Sequence, residues 1–405
     1  MTTYRILRLG ARGDGVAEGP LFAPRTLPGE EITGTPEGDR LTDIRILSPS
    51  PERVRAACRH FATCGGCQLQ HASDGYVAAW KADQVKAALR IRGIEAEIAP
   101  VLTSPPASRR RAVLSARRTK SGALAGFHAR ASDQVVEVPD CQLLHPGLLP
   151  ALGAARDLAR AGTSRKAGVA VTATLSRAGL DLAVRGGKPL DGPLRLLLAG
   201  LAERHDLARL AWEEEVVLTR RAPVQVFAGV PVVPPPGAFL QATAEGESAL
   251  VTEVLALLGG ARRVVDLFAG CGTFTFPLAH RAAVHAVEGS PEMIAALDHA
   301  ARHAQGLRPI SHAARDLFRH PLDAAELAGV DAVVIDPPRA GAEAQIAEIA
   351  RSRVPRIAHV SCNPATFARD AAQLLAAGYR MGRVCVVDQF RWSAHVELVA
   401  GFDLT

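Results

Sequence analysis

The apolar and polar positions divide the chain into stretches with different rhythms. Over the first fifty residues, short β-prone runs (YRILRLG at 4–10, EITGT at 31–35) alternate with the turn signals GDG at 13–15, LPGE at 27–30 and PEGD at 36–39. Strands this short between turns this close predict a small β-barrel. Residues 76–92 place Val77, Trp80, Val85 and Leu89 at helical intervals, which predicts a helix. The middle of the chain reads as strands at 169–175 and 180–184, a helix at 194–204, and a strand pair at 209–212 and 216–219.

The proline-rich run VPVVPPPG at 230–237 is a stiff boundary. Beyond it the rhythm changes. The apolar runs RRVVDLFAG, AAVHAVEGS, GVDAVVIDPP, RIAHVSCNP, RVCVVDQF and HVELVAGF are spaced by helical stretches. One of those helices opens with Ser290 as N-cap and Pro291 at its first position. This alternation predicts a parallel, doubly wound sheet with a site at the carboxyl ends of its strands.

Composition narrows the function classes. A chain of 405 residues, 48% apolar and 22% charged, is expected to form two or three domains around real cores. Its net charge of +6 admits a polyanionic partner without requiring one. The longest apolar run, at 194–202, is interrupted by Arg195 and falls far short of the roughly 20 residues a spanning helix needs. The start, MTTYRILRLG, lacks an apolar core followed by a cleavage site, so a cytoplasmic protein with no membrane partner is expected.

The seven cysteines do not suggest a disulfide framework, being odd in number in a long chain. Cys58, Cys64 and Cys67 form C-x5-C-x2-C, with Gly65 and Gly66 freeing the backbone between the last two. Cys141, in DCQLLHP, is the best fourth ligand, since Pro146 and Gly147 nearby mark a turn. Spacing alone leaves zinc and an iron–sulfur cluster both open. A second cluster is basic. From 101 to 132 there is no acidic residue, while Arg109, Arg110, Arg111, Arg117 and Arg118 all fall inside. The alternation in RRAVLSARR suggests a strand projecting guanidinium groups from one face toward phosphates.

Chemistry concentrates in the last third. VVDLFAGCGTF places a strand against a glycine turn, in which Gly270 and Gly272 let backbone amides approach a ligand. Glu288 ends the next strand, where a carboxylate can hold ribose hydroxyls. The form suits S-adenosylmethionine better than a dinucleotide. Asp336 of DPPR follows an apolar strand; Arg339 stands where enzymes methylating exocyclic amines usually carry a base-stacking aromatic. Cys362 ends another strand and precedes Asn363 and Pro364, whereas Cys385 sits in an apolar run and reads as a core thiol. Glu397 interrupts the apolar HVELV, where a carboxylate is costly unless it is used. A thiolate adding to C6 of uracil makes C5 nucleophilic, and a carboxylate can then remove the C5 proton.

Together these residues resemble the bacterial RNA uracil-C5 methyltransferases of the RlmD/RumA and TrmA type, across nearly the whole chain. The resemblance implies a multidomain α/β protein. An OB-like TRAM barrel would cover residues 1–50, and a central α+β domain would cover 51–235. A Rossmann-like class I methyltransferase domain would cover 236–405, with residues near 76–100 packing against it. The sequence ALAGFHARASDQVVEVPDCQLLHP follows the middle region of the rRNA-modifying branch, and Cys58, Cys64, Cys67 and Cys141 match that branch's [4Fe–4S] ligands. In the catalytic half the resemblance places Gln241, Phe268, Gly270, Gly272, Thr273, Glu288, Asp316 and Asp336 in the S-adenosylmethionine pocket. It makes Cys362 of SCNP the nucleophile and Glu397 of HVE the general base. The implied activity is 5-methyluridine formation in 23S rRNA by a monomer. The alternatives are the same chemistry on the T-loop of tRNA, by relatives that generally lack the four cysteines, and a non-catalytic iron–sulfur RNA-binding protein.

Overall fold

The computed structural model describes residues 2–405. At the N-terminus the strands Thr3–Leu9, Gly15–Ala17, Phe22–Ala23, Arg40–Ser48 and Glu31–Glu37 follow one another around a closed barrel. Its interior is filled by Ile6, Ala17, Ala23, Ile32 and Leu41, which suits the alternation of a small barrel. Closure leaves the short strands without a free edge.

The central sheet has seven strands, in the order Glu215–Thr219, Arg209–Trp212, Gly179–Arg185, Gly168–Ser176, Arg111–Arg118, Ala123–His128 and Val135–Val136. The helices Pro150–Gly162 and Gly192–Arg204 share one core with it, through Leu158, Leu198, Leu114, Val171, Leu182 and Trp212. Trp212 is fully buried against Gly162, where an added Cβ would lie 2.2 Å from its ring. Only glycine lets the helix end approach the indole that closely.

The third body is an eight-stranded sheet in the order Ile310–Ala314, Ala283–Glu288, Arg263–Leu267, Ala332–Ile335, Arg356–Ser361, Glu397–Leu404, Tyr379–Asp388 and Leu102–Thr103. Its first five strands are parallel, and Glu397–Leu404 returns antiparallel to both of its neighbours. Successive residues of one strand feed opposite cores. Val264 and Val334 meet Leu250, Val254 and Leu278 on one face, while Val265 and Ile335 meet Ile346, Phe367 and Leu374 on the other. Burial on both faces explains why these strands read as unbroken apolar runs. The strand order reverses between Arg263–Leu267 and Ala332–Ile335, so the crevice for a ligand opens beyond Leu267 and Ile335.

The segment after the cysteine triplet belongs physically to this third body. The helix Asp74–Arg90 buries Val85 and Leu89 in the catalytic core, and Leu102–Thr103 adds an edge strand by pairing with Val387 and Asp388. The stretch 51–235 is therefore not one compact unit: the chain crosses to the eight-stranded sheet before entering the central one. Among the described residues, no helix is long and apolar enough to cross a membrane.

Candidate active site

At the end of Arg263–Leu267 the backbone turns sharply. Phe268 adopts φ +61°, followed by Gly270 at +57° and Gly272 at +100°. A left-handed phenylalanine is costly, and such strain concentrates where a ligand is gripped. An added Cβ on Gly270 would meet nothing within 4 Å, so the turn borders open space. Gly272 is different: its Cβ would lie 2.5 Å from the Phe276 ring. Thr273 is half-buried in the same turn. Glu288, at the end of the adjacent strand, accepts the Gly270 amide at 3.0 Å and the Ser290 amide at 3.0 Å, fastening two turns through one carboxylate. Asp266, buried one turn earlier, accepts the Thr275 hydroxyl at 2.5 Å, and burial pushes its carboxyl up to about 7.

Asp316 sits differently from the other acids. It is exposed, and its Oδ1 accepts the amides of Phe318 at 2.9 Å and Arg319 at 3.3 Å, tightening its own turn. That turn presents Phe318, 49% exposed, with its ring 5.5 Å from that of Phe268. Sequence reasoning missed Phe318. An exposed phenylalanine beside a strained one makes an aromatic wall for a flat ligand, and the signal was an apolar ring inside the polar turn RDLFRH.

Across the switch point, Asp336 follows Ile335 and Cys362 follows Ser361. The antiparallel pairing ends at Ser361 opposite Leu398, so Cys362, just past one strand end, and Glu397, the first residue of the last strand, stand at the same edge of the sheet. Asn363 fixes the loop beyond Cys362, accepting the Ala365 amide at 3.1 Å and donating to the Arg339 carbonyl at 3.0 Å. Burial, then the carboxylates of Glu397 and Asp336, push the Cys362 thiol up to about 11, while Arg339 pulls the other way. Glu397 is itself raised well above an ordinary glutamate by burial and by Asp336; Asp336 is pushed up to about 7 by burial.

A chain of amides joins these acids. Gln241 donates through Nε2 to Asp336 Oδ2 at 3.3 Å and accepts on Oε1 from Gln389 Nε2 at 2.5 Å. Gln389 also donates to Glu397 Oε2 at 3.1 Å. Gln389 was not among the residues singled out from the sequence.

The four cysteines meet. Cys58, Cys64, Cys67 and Cys141 line one small hollow, walled by Phe61, Phe127 and Val138. Gly65 permits this: its amide bonds the His128 carbonyl at 2.9 Å, and a Cβ there would sit 2.8 Å from the same oxygen. Burial and the neighbouring sulfurs push the Cys67 thiol up to about 12. Among the described residues, no three His, Cys, Asp or Glu side chains are placed to hold one metal ion.

The arginines correct the sequence reading. Arg109 and Arg110 precede the strand Arg111–Arg118 and so are not part of its alternating face. Arg109 lies 5.7 Å over the Phe390 ring; Arg110 pairs with Glu247 at 2.5 Å; Arg111 donates to the Ala238 and Gly237 carbonyls at 3.0 and 3.1 Å. These three stitch the central sheet to the catalytic domain rather than facing phosphates. Only Arg117 and Arg118 stay exposed. With Lys120, Arg165 and Lys166 they line an open hollow of about 570 Å³.

A profile of the tRNA (uracil-5-)-methyltransferase family matches residues 235–402. Among similar proteins, one from Brucella suis named an uncharacterized RNA methyltransferase is 46% identical over 98% of this chain and 96% of its own. A like-named protein from Rhizobium meliloti is 47% identical over 98% of each. The 23S rRNA (uracil(1939)-C(5))-methyltransferase RlmD of Chromohalobacter salexigens is 34% identical over 97% of this chain and 87% of its own. Among solved structures, the tRNA (uracil-54, C5)-methyltransferase of Pyrococcus abyssi in complex with S-adenosyl-L-homocysteine superposes with a TM-score of 0.77. It is 22% identical and covers 98% of this chain and 99% of that one; the likeness is one of fold.

Proposed function

The chain belongs to the RNA uracil-C5 methyltransferase family and is an S-adenosylmethionine-dependent RNA methyltransferase, and on that premise we propose that it forms 5-methyluridine in 23S rRNA through a covalent Cys362 adduct resolved by Glu397. The observation that carries this reading is that Cys362 and Glu397 stand just beyond the Ser361–Leu398 pair, close enough for the Glu397 carboxylate to raise the Cys362 thiol, beside the switch-point crevice. The 34% identity to RlmD and the four cysteines favour rRNA; the same chemistry on the tRNA T-loop is the second reading, which the family description favours.

The cradle fits its co-substrate. The strained Phe268, the open side of Gly270, the fixed carboxylate of Glu288 and the Phe318 ring offer an aromatic wall, close backbone and a ribose acceptor. Gln241, Thr273, Asp316 and Asp336 complete its surroundings. When bound there, S-adenosylmethionine supplies an electrophilic methyl group.

The residues of the chain do the rest. Cys362, its thiol proton first lost to solvent, bonds through sulfur to C6 of the uracil as the C5=C6 electrons move toward O4. C5 then takes the methyl group as the methyl–sulfur bond breaks, its electrons staying on the sulfur of the departing S-adenosylhomocysteine. Once C5 carries the methyl group, Glu397 removes its proton. The electrons of that C–H bond re-form C5=C6 as the S–C6 bond breaks and the thiolate returns.

The four-cysteine hollow fits a [4Fe–4S] cluster. Its four sulfurs share one apolar chamber, and thiolates are the ligands such a cluster takes. Bound there, the cluster would cross-link the loops at 58–67 and 141. Arg117, Arg118, Lys120, Arg165 and Lys166 are the track for RNA phosphates.

Incubation with tritium-methyl-labelled S-adenosylmethionine and 5-fluorouridine-substituted 23S rRNA tests the reading. Fluorine at C5 cannot leave as a proton, so a protein–RNA adduct should persist and should vanish in Cys362→Ala. An adduct with substituted tRNA alone would select the second reading. No adduct with any cellular RNA would leave a non-catalytic iron–sulfur RNA-binding protein.

A further inference from the structure

Gln389 is 1% exposed, and all three of its polar contacts are to named groups. Its Oε1 accepts the Ala242 amide at 2.7 Å. A backbone N–H only donates, so this contact fixes which end of the amide is oxygen. The NH2 end must then face Gln241 Oε1 at 2.5 Å and Glu397 Oε2 at 3.1 Å, one hydrogen to each. Gln241, accepting at Oε1, is likewise fixed and donates onward to Asp336. The polarity of the whole chain follows from one backbone amide, and both carboxylates are required to accept.

We propose that Gln389 is a positioning residue for the general base: by donating to Oε2 of Glu397 it reserves Oε1 as the oxygen that takes the C5 proton. This rests on the uracil-C5 reading of the site. A carboxylate free to rotate in a buried pocket offers either oxygen and gains nothing by staying ionised; one pinned by a donor does both. The charged and titratable groups around Glu397 are Asp336 at a strand end two strands away, Cys362 just past the end of the adjacent strand, Arg339 facing Cys362, and His395 two residues earlier, itself facing Arg339, Lys81 and Arg109. Burial and Asp336 oppose ionisation of Glu397, and the Gln389 hydrogen bond is what favours it.

Gln389→Met keeps the length of the side chain and removes the donor. Release of tritium from RNA carrying [5-3H]uridine, followed against pH, reads the base step. With the donor gone, Glu397 holds its proton to higher pH. Release near pH 7 should fall about tenfold, the half-maximum should move up by about one pH unit, and adduct should accumulate at neutral pH. A merely structural role would lower the whole profile by one factor without moving its midpoint, and that result overturns the proposal. If the methionine variant does not fold, Gln389→Asn, whose shorter amide cannot span Ala242 and Glu397 together, should give the same shift. A readout without RNA separates this from failure of the uracil reading: alkylation of Cys362 by iodoacetamide, mapped by peptide. Since ionised Glu397 raises the Cys362 thiol, a Glu397 that stays protonated longer should let alkylation begin at lower pH in the variant. An unmoved alkylation midpoint counts against Gln389 even if no RNA reacts.

Discussion

Lys81 Nζ lies 2.5 Å from Asp388 Oδ1, with neither side chain reaching solvent. The lysine comes from the helix that follows the cysteine triplet, and the aspartate immediately precedes Gln389. Lys81 also donates to the Phe390 carbonyl at 3.2 Å, and the amides of Gln68 and Leu69 donate to the Trp392 carbonyl at 2.7 and 3.0 Å. Trp392 is held at φ +60°, a conformation its side chain disfavours and that these bonds maintain. The loop that delivers Gln389 to Glu397 is thus clasped from the cysteine-rich side of the molecule.

Breaking the clasp should therefore be felt in the active site. Lys81→Met leaves a buried carboxylate unpaired and should cost about 3–5 kcal/mol of unfolding free energy. Lys81→Met/Asp388→Asn removes the stranded charge and should recover much of the loss. Urea unfolding of both variants checks this; equal destabilisation of single and double variants would contradict the pairing.

Glu397→Gln keeps the shape of the base and removes its proton affinity. Methyl transfer precedes proton loss, so the variant should methylate RNA once and stall as a covalent complex that survives denaturing electrophoresis. Release of free product should drop at least about a hundredfold, the usual worth of a positioned base. Normal turnover to free 5-methyluridine would remove Glu397 from the role.

Much of this site was legible because strand ends announce themselves. Gly270, Asp336 and Cys362 each stand where an apolar run gives way to glycine, proline or a reactive side chain, and a parallel sheet gathers such ends at one edge. The final strand supplies what the sequence hides. Its antiparallel return brings Glu397 to the edge where Cys362 stands, and the turn before it brings Gln389 against Gln241, neighbours that depend on the fold rather than on spacing. The basic run misled for a related reason: charge pattern does not reveal that Arg111 will meet the carbonyls of residues 237 and 238, more than a hundred positions away.

His359 gives a pH prediction of definite sign. It lies fully buried between the rings of Phe367 and Phe402, its Nε2 3.9 Å from Asp370, with neither ring nitrogen hydrogen-bonded. Burial pulls its imidazole down to about 3. Between that value and the unfolded value near 6.5 the unfolded chain binds the extra proton, so stability falls as pH is lowered through this window. The contribution is about 1.4 kcal/mol per pH unit for this one residue. His359→Leu should flatten the dependence of unfolding free energy on pH between 6.5 and 4 without loss at pH 7.5. An unchanged slope would mean that the imidazole finds a proton in the folded state.

The two groups of arginines should separate by salt. Arg117 and Lys166 line the open hollow, and neither belongs to an ion pair among the described residues. Arg111 is tied to backbone carbonyls across the joint between sheets. Arg117 lies six residues along the strand from Arg111, about 20 Å at strand rise, so a phosphate held there belongs to a nucleotide well removed from the base in the crevice. Each phosphate contact to single-stranded RNA contributes roughly 0.7 to the slope of log affinity against log salt. Arg117→Glu/Lys166→Glu should therefore weaken RNA binding, flatten that slope by about 1.4, and leave S-adenosylmethionine affinity unchanged. Arg111→Ala should lower the unfolding midpoint instead, with little change in slope. If the charge reversals leave the slope intact, the RNA backbone follows another path over the protein.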